Sequence, residues 1–223
     1  MTEYLEASVS SQEHDRTVLA AYNEMATTYA EKWCTEQVLR DELEYVEELV
    51  RLTDASEDRI IDVGCGPAVY YPLAQALRLD FVGIDFSAPM LHAGKALFPS
   101  CRLIRGDARC LPVSSGHFKM AIAMNSLSHL DDSDYAKALS EVRRVLLDGG
   151  AFFLSDQLGH GMKIEEYPLL PKHRIPVFAR GIDTHKKFLA GANFDVIRTR
   201  VRRFMPGEIP HDKAMFWSIA GPR

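Results

Sequence analysis

Arg59-Ile60-Ile61-Asp62-Val63-Gly64-Cys65-Gly66-Pro67-Ala68 is the stretch that decides how this chain folds. Its apolar run predicts a strand over 59–63 ending beside an acid, and Gly64 and Gly66 predict a tight turn. Pro67 then suits the opening of a helix, because the N–H it lacks has no intrahelical partner there. A second apolar run, Asp80-Phe81-Val82-Gly83-Ile84-Asp85, predicts another strand with an acid at its tip. Outward from these, Ser87 is placed to cap a helix running to Leu97. Further strands are expected over 101–105, ending at Gly106-Asp107, over 119–124, ending at Asn125-Ser126, and over 151–155. A helix from about Asp132 to Leu147 is expected to stop at Gly149-Gly150. Apolar strands alternating with amphipathic helices read as an α/β, doubly wound, mostly parallel sheet covered on both faces.

The flanks differ. The first 35 residues read as helical, with Tyr22, Tyr29 and Trp33 at helical spacing. A second helix is expected over 35–52, where Leu39, Leu43, Val46 and Val50 form one stripe and Glu42, Glu44, Glu47 and Glu48 largely take other faces. After the last parallel strand, residues 157–182 carry Gly159, Gly161, Pro168, Pro171 and Pro176 and read as an irregular insertion. It starts at the carboxyl edge of the sheet, where such folds bind ligands, and is placed to act as a lid. A helix over 183–191 and an antiparallel strand pair, 195–204 and 214–220, complete the chain.

The 223 residues, 47% hydrophobic and 26% charged, suit one domain that needs neither disulfide nor metal to hold its core. Cys34, Cys65, Cys101 and Cys110 form no C-x-x-C pair and no His cluster joins them, so no metal site is expected. They read as free thiols of a cytoplasmic protein. No signal peptide and no membrane-length apolar run is read. The net charge of −5 argues against a general nucleic-acid binder. The charge is uneven, −11 over 1–156 and +6 over 157–223.

The paired acidic tips suit an adenosine-containing cofactor. The turn at Gly64 and Gly66 admits a ligand close to the backbone, the following helix start favours an anionic group, and Asp85 can accept two hydrogen bonds from a ribose diol. The last glycine of a dinucleotide fingerprint is replaced by Val69, and no phosphate loop is present.

Five segments in order resemble the class I S-adenosylmethionine-dependent methyltransferases, especially the small-molecule group related to quinone biosynthesis. Asp62-Val63-Gly64-Cys65-Gly66 is similar to that family's first motif, and Val82 to Leu91, with Ser87-Ala88-Pro89-Met90, to its second. Arg105-Gly106-Asp107-Ala108 with Leu111-Pro112 resembles the third, and Phe118 to Asn125 followed by Leu127-Ser128-His129-Leu130 the fourth. Glu141 to Gly150 resembles the helix before the fifth strand.

The resemblance implies a Rossmann-like seven-stranded sheet with a C-terminal antiparallel hairpin, filling one domain. In it 1–52 is a helical cap, 58–156 the cofactor core, 157–182 a lid and 183–223 a closing helix and strand pair. It implies S-adenosylmethionine as cofactor, with Gly64, Cys65 and Gly66 beside its methionine part, Asp85 on the ribose, and Phe86 and Met90 beside the adenine. Gly106, Asp107 and Ala108 would meet the adenine edge, Asn125 the methionine end, and Asp62 would support the turn. Tyr22 or Tyr29 would close over the cofactor. Ala68 replaces the family's third glycine, and its methyl could crowd the ligand.

Methyl transfer needs alignment, and a base only where the acceptor must lose a proton. His129, four residues past Asn125, is the first candidate base and His160 the second; His173 and His211 read as surface residues. Arg198, Arg200 and Arg202 share one strand face and read as solvated, or as attracting an anionic acceptor. The expected activity is methyl transfer to an oxygen, nitrogen or carbon of a small molecule, by a monomer or homodimer. The alternatives are a transferase acting on the wobble uridine of tRNA and an inert cofactor-binding subunit.

Overall fold

The computed structural model describes residues 11–53, 58–167, 170–203 and 212–223. Helices α1 (Ser11–Trp33) and α2 (Glu36–Thr53) come first. Strands β1 (Arg59–Val63), β2 (Asp80–Asp85), β3 (Arg102–Arg105), β4 (Phe118–Met124) and β5 (Leu146–Gln157) follow. Between them lie α3 (Tyr71–Ala76), α4 (Ala88–Leu97) and α5 (Asp132–Val145). Then come β6 (Gly161–Tyr167), β7 (Leu170–Ala179), α6 (Ile182–Gly191), β8 (Phe194–Arg202) and β9 (Lys213–Ala220). The main sheet has seven strands in the order β3-β2-β1-β4-β5-β9-β8. β1 to β5 run parallel to one another, and β9 runs antiparallel to both β5 and β8.

Strand alternation builds a core on each face. Phe152 and Phe216 pack with Tyr135 of α5 and Leu189 of α6. Their neighbours Phe153 and Trp217 pack on the other face with Tyr45 and Leu49 of α2. The chain order reverses between β1 and β4, so the carboxyl ends of those strands open a crevice. No helix of the described residues is long and apolar enough to cross a membrane.

Three expectations are corrected. Pro67 opens a turn rather than a helix, because Ala68 takes a left-handed φ of 61° and its N–H bonds the Cys65 carbonyl at 3.0 Å. The helix therefore begins at Tyr71, with Pro72 in its first turn. The α5 helix ends at Val145; Leu146 is already extended and pairs with Phe118, before the two glycines are reached. Within 157–182, Gly161–Tyr167 and Leu170–Ala179 pair as the antiparallel strands β6 and β7 rather than forming an irregular insertion. Pro176, opposite Ile164, is tolerated because a two-stranded ribbon has open edges.

The arginine stripe of β8 stays largely exposed, as expected, while its side chains also pair with α2. Arg198 pairs with Glu48, Arg200 with Glu44 at 3.2 Å and Arg202 with Glu42 at 3.8 Å. Glu48 and Glu44 lie one helical turn apart, and Glu42 is two residues further toward the start of α2. The side chain of His173, and His211, lie outside the described residues.

Candidate functional site

The crevice is built from strand tips. Gly64 follows β1 at a φ of 77°, and its N–H donates to the Ile84 carbonyl at 2.8 Å. A Cβ there would stand 2.2 Å from Ser126 Cβ, so the close approach of the β1 and β4 loops requires glycine. Asp85, at the tip of β2, shapes the same turn. Its Oδ2 accepts from the Gly66 N–H and its Oδ1 from the Ser87 N–H, both at 2.8 Å. Ser87 caps α4, accepting from the Met90 N–H at 3.3 Å. Each carboxylate oxygen of Asp85 keeps a second lone pair for a ligand. Burial pushes the Asp85 carboxyl up, against the pull of its backbone donors.

A cavity of about 530 Å³ runs over these tips. Asp85, Phe86, Met90, Asp107 and Ala108 line it, with Gly106 at its edge. A second cavity of about 130 Å³ adjoins it and includes Cys65. The two share the wall Tyr22, Tyr29, Gly64, Gly66, Asn125 and His129. Asn125, at the tip of β4, has a φ of 55° and is held by its N–H on the Ser155 carbonyl at 2.7 Å. The Cys65 thiol, pushed well up by burial, faces the Gly66 carbonyl at 3.5 Å.

Helix α1 roofs the crevice. Tyr22 stands edge-on to Phe86 and to His129, with ring centroids 6.2 and 5.4 Å apart. The His129 ring is held at both nitrogens: Nδ1–H donates to the Pro176 carbonyl at 2.9 Å, and Nε2 accepts from the Tyr22 hydroxyl at 2.8 Å. That pairing assigns the neutral tautomer with an acceptor nitrogen on the crevice side. Burial lowers the His129 pKa and keeps the ring uncharged. His14 Nε2 donates to the His129 carbonyl at 2.7 Å, tying the start of α1 to the same loop.

Three of the residues singled out by the sequence take different places in space. Asp107 lines the cavity, but Arg109 engages it through Nε at 2.9 and 3.1 Å and through a terminal nitrogen at 2.6 Å. Burial alone would raise the Asp107 carboxyl; the bonds from Arg109 outweigh it and hold it low. Arg109 also reaches Asp15 of α1 at 2.8 Å and Asp134 of α5 at 2.5 Å. Asp62 lines neither cavity. It is 1% exposed with both oxygens unpartnered, and burial and the Asp85 charge push its carboxyl well above the usual range. His160 does not reach the crevice: the register Gly161↔Ala179 leaves it exposed at the hairpin base, in a surface hollow with Asp131, Arg180 and Thr184.

The Ala68 methyl is fully buried in the core and lines neither cavity. Several lining residues had no motif to announce them. Arg109, Glu42, Tyr70, Gln157 and Glu165 arrive through tertiary packing. The Tyr70 hydroxyl donates to Glu42 at 2.5 Å beside the glycine turn. Among the described residues no group of His, Cys, Asp and Glu could hold a metal ion.

The residues fit an adenosyl cofactor: an acid with spare lone pairs on β2, an apolar slot at Phe86 and Met90, and a glycine turn with no room for a side chain. Comparison with known proteins agrees. Residues 60–150 match the methyltransferase domain family. A demethylmenaquinone methyltransferase of Renibacterium salmoninarum is 34% identical over 99 residues, covering 44% of this chain and 40% of that protein. The chain spans about half the length of the curated relatives it matches. Among solved structures, the 1,6-didemethyltoxoflavin-N1-methyltransferase of Burkholderia thailandensis, bound to its acceptor and S-adenosylhomocysteine, superposes with a TM-score of 0.74. The match covers 98% of this chain and 94% of that one, at 11% identity. The 4+2 cyclase SpnF superposes with a TM-score of 0.71 at 17% identity, covering 96% and 97%. At these identities the structures establish the fold alone. Residues 60–150 are thus similar in sequence to the methyltransferase domain family, and 91% of the chain shares the fold of an S-adenosylmethionine-dependent methyltransferase of Clostridium acetobutylicum.

Proposed function

We propose that this class I domain transfers a methyl group from S-adenosylmethionine to a small-molecule acceptor by in-line displacement. The observation that carries the reading is the pair of cavities joined at one wall, the larger shaped for an adenosyl group and the smaller opening beyond Tyr22 and His129. When bound, S-adenosylmethionine supplies a methyl group on a positively charged sulfur. Asp85 takes the ribose hydroxyls with its unused lone pairs, and Phe86 and Met90 pack against the base. Asp107, oriented by Arg109, and Ala108 meet the adenine edge, while the backbone at Gly64 and Gly66 and the loop at Asn125 flank the amino-acid tail. Asp62 acts only through the turn it underlies.

The rest of the work is alignment and exclusion of water. Helix α1 and the β6–β7 hairpin close two sides, so we read residues 1–223 as one functional unit with the hairpin as its lid. His129 is the candidate base: an acceptor hydroxyl or amine that replaces the Tyr22 hydroxyl at Nε2 can pass its proton to that nitrogen. His160 is left without a part in this mechanism. The menaquinone-pathway relative supports a small-molecule acceptor. Four free thiols suit a reducing compartment, and we place the protein in the cytoplasm.

The test is incubation with methyl-labelled S-adenosylmethionine and either a small-molecule metabolite extract or tRNA. Label in a small-molecule fraction is expected. Label in tRNA alone, or none from a protein that binds the cofactor, contradicts the reading. The fold likeness to a cyclase makes that second outcome a real alternative.

A further inference from the structure

The imidazole of His129 stands on a turn, Leu127 to Leu130, closed by the Leu130 N–H on the Leu127 carbonyl at 3.0 Å. The carbonyls around the ring are each taken by another part of the chain. That of Ser128 accepts from the Phe178 N–H at 2.7 Å, that of His129 from His14 Nε2 at 2.7 Å, and that of Leu130 from Arg180 at 2.6 Å. Phe178 belongs to β7, as does Pro176, whose carbonyl takes the Nδ1–H, and Arg180 directly follows that strand. One strand therefore grips the turn at every second residue, at 176, 178 and 180.

Arg180 differs from the other two in gripping through its side chain, which lies in a residue only 3% exposed. One terminal nitrogen reaches Leu130, the other donates to the Phe178 carbonyl at 3.2 Å, and Nε donates to Asp132 in the first turn of α5 at 2.9 Å. The guanidinium also lies over the ring of Tyr135, further along α5, at 4.1 Å from its centroid. Its backbone is fixed to the end of β5: the N–H donates to the Gln157 carbonyl at 3.3 Å, and the carbonyl accepts from the Gly159 N–H at 3.2 Å. A planar fork with set donor directions can join strand, turn and helix in this way, whereas a lysine ammonium is a point charge on a flexible stem. Arg180 lines neither of the two joined cavities.

We propose that Arg180 is a positioning residue for His129: by holding Leu130 against the end of β7 it keeps the Pro176 carbonyl on Nδ1 and so leaves Nε2 as the acceptor. The proposal rests on the methyl-transfer reading and names the residue that readies its base. The Tyr22 hydroxyl can both donate and accept, so it serves either tautomer, and the choice falls to Pro176. Without that carbonyl the proton is free to sit on either nitrogen. A ring protonated at Nε2 turns a donor to the crevice and cannot take a proton from an acceptor there. Lifting the hairpin would undo the same bonds, so closure of the lid and readiness of the base are one event.

The full chain is prepared with isotopically labelled histidine, and the tautomer of His129 is read at neutral pH from long-range proton–nitrogen correlation spectra. Its signal is assigned by its loss in His129→Gln, which separates it from His185, a partner of Tyr135. The wild type is expected to show the Nδ1–H form alone. In Arg180→Lys the Nε2–H form is expected to appear beside it, while calorimetric affinity for S-adenosylhomocysteine stays within about threefold of the wild type. Arg180→Gln repeats the test without the charge. The Nδ1–H form alone in a variant that still binds S-adenosylhomocysteine overturns the inference, as does an Nε2–H form in the wild type. Loss of that binding in both variants also overturns it, since Arg180 would then support the whole fold instead of this ring. A wild type that fails to bind S-adenosylhomocysteine refutes the methyl-transfer reading, and with it the role of His129 as a base, whatever its tautomer.

Discussion

Replacing Gly64 by alanine tests why the β1 turn is built as it is. The added Cβ would meet Ser126 Cβ at 2.2 Å and Ser126 Oγ at 2.8 Å, where carbon contacts are comfortable only near ~3.5–4.0 Å. The left-handed φ of 77° adds a backbone cost of ~1–2 kcal/mol for any residue with a side chain. Relieving the overlap displaces Ser126, whose hydroxyl donates to the Val63 carbonyl at 2.6 Å, a bond worth ~1 kcal/mol. With ~1–3 kcal/mol for overpacking, Gly64→Ala is expected to cost about 4 kcal/mol of folding stability. In a Ser126→Gly background the clash is gone, and the same change should cost only the backbone share, ~1–2 kcal/mol. Urea unfolding of the four proteins closes the cycle, with a coupling of ~2–3 kcal/mol expected. Additive effects, or a single variant that loses under ~1 kcal/mol, would refute the steric argument.

Three further outcomes follow from the geometry. His129→Ala should lower turnover far more than cofactor affinity. Because burial holds His129 below its ordinary 6.5 and the base acts unprotonated, wild-type turnover should fall only below pH 6.5; an acid limb at or above that value contradicts the assignment. Asp156 sits at about 7 in the fold against 3.8 unfolded, so its contribution to stability falls as pH rises from 3.8 to 7. His185 sits at about 4 against 6.5, so its contribution falls as pH drops from 6.5 to 4, and the two oppose each other. Because Asp62 and Asp85 also titrate with raised pKa, the histidine is isolated by difference. Relative to Asp156→Asn, a variant that also carries His185→Gln should lack a loss of about 3 kcal/mol between pH 6.5 and 4, and identical pH profiles in the two would count against it. Arg198→Ala breaks a pair whose arginine side chain is 49% exposed, and chemical denaturation should register a loss under ~1 kcal/mol; a loss of several would mean the α2–β8 pairs hold the two elements together.

Local chemistry is legible in the sequence and tertiary chemistry is not. Asp85, Ser87 and Gly64 can be read because a strand tip, a cap and a turn are set by residues a few positions apart. The Ser87 cap and the strands of the main sheet form where the pattern places them within two residues, except that β5 begins five residues early at Leu146. The apolar spacing of α2 turns Glu42 away from the core, but the buried stripe is centred on Leu49, which brings Glu42 inward to Tyr70. The pairing of Arg200 with Glu44 joins positions 156 residues apart and leaves no trace in either segment alone. His160 follows a strand that ends at the crevice, which suggests that it lies close by. That strand runs on to Gln157, and the hairpin after it swings the imidazole outward. The prolines of 157–182 hide the hairpin, since a two-stranded ribbon tolerates what a central strand does not.

Calorimetric titration of S-adenosylmethionine into the wild-type chain and into Asp85→Ala tests the cofactor crevice most directly. Saturable binding is expected for the wild type, weakened by ~1.5–3 kcal/mol, roughly 10- to 150-fold, in a variant whose far-ultraviolet spectrum shows it folded. No binding by the wild type, or the same affinity in both proteins, would contradict the account.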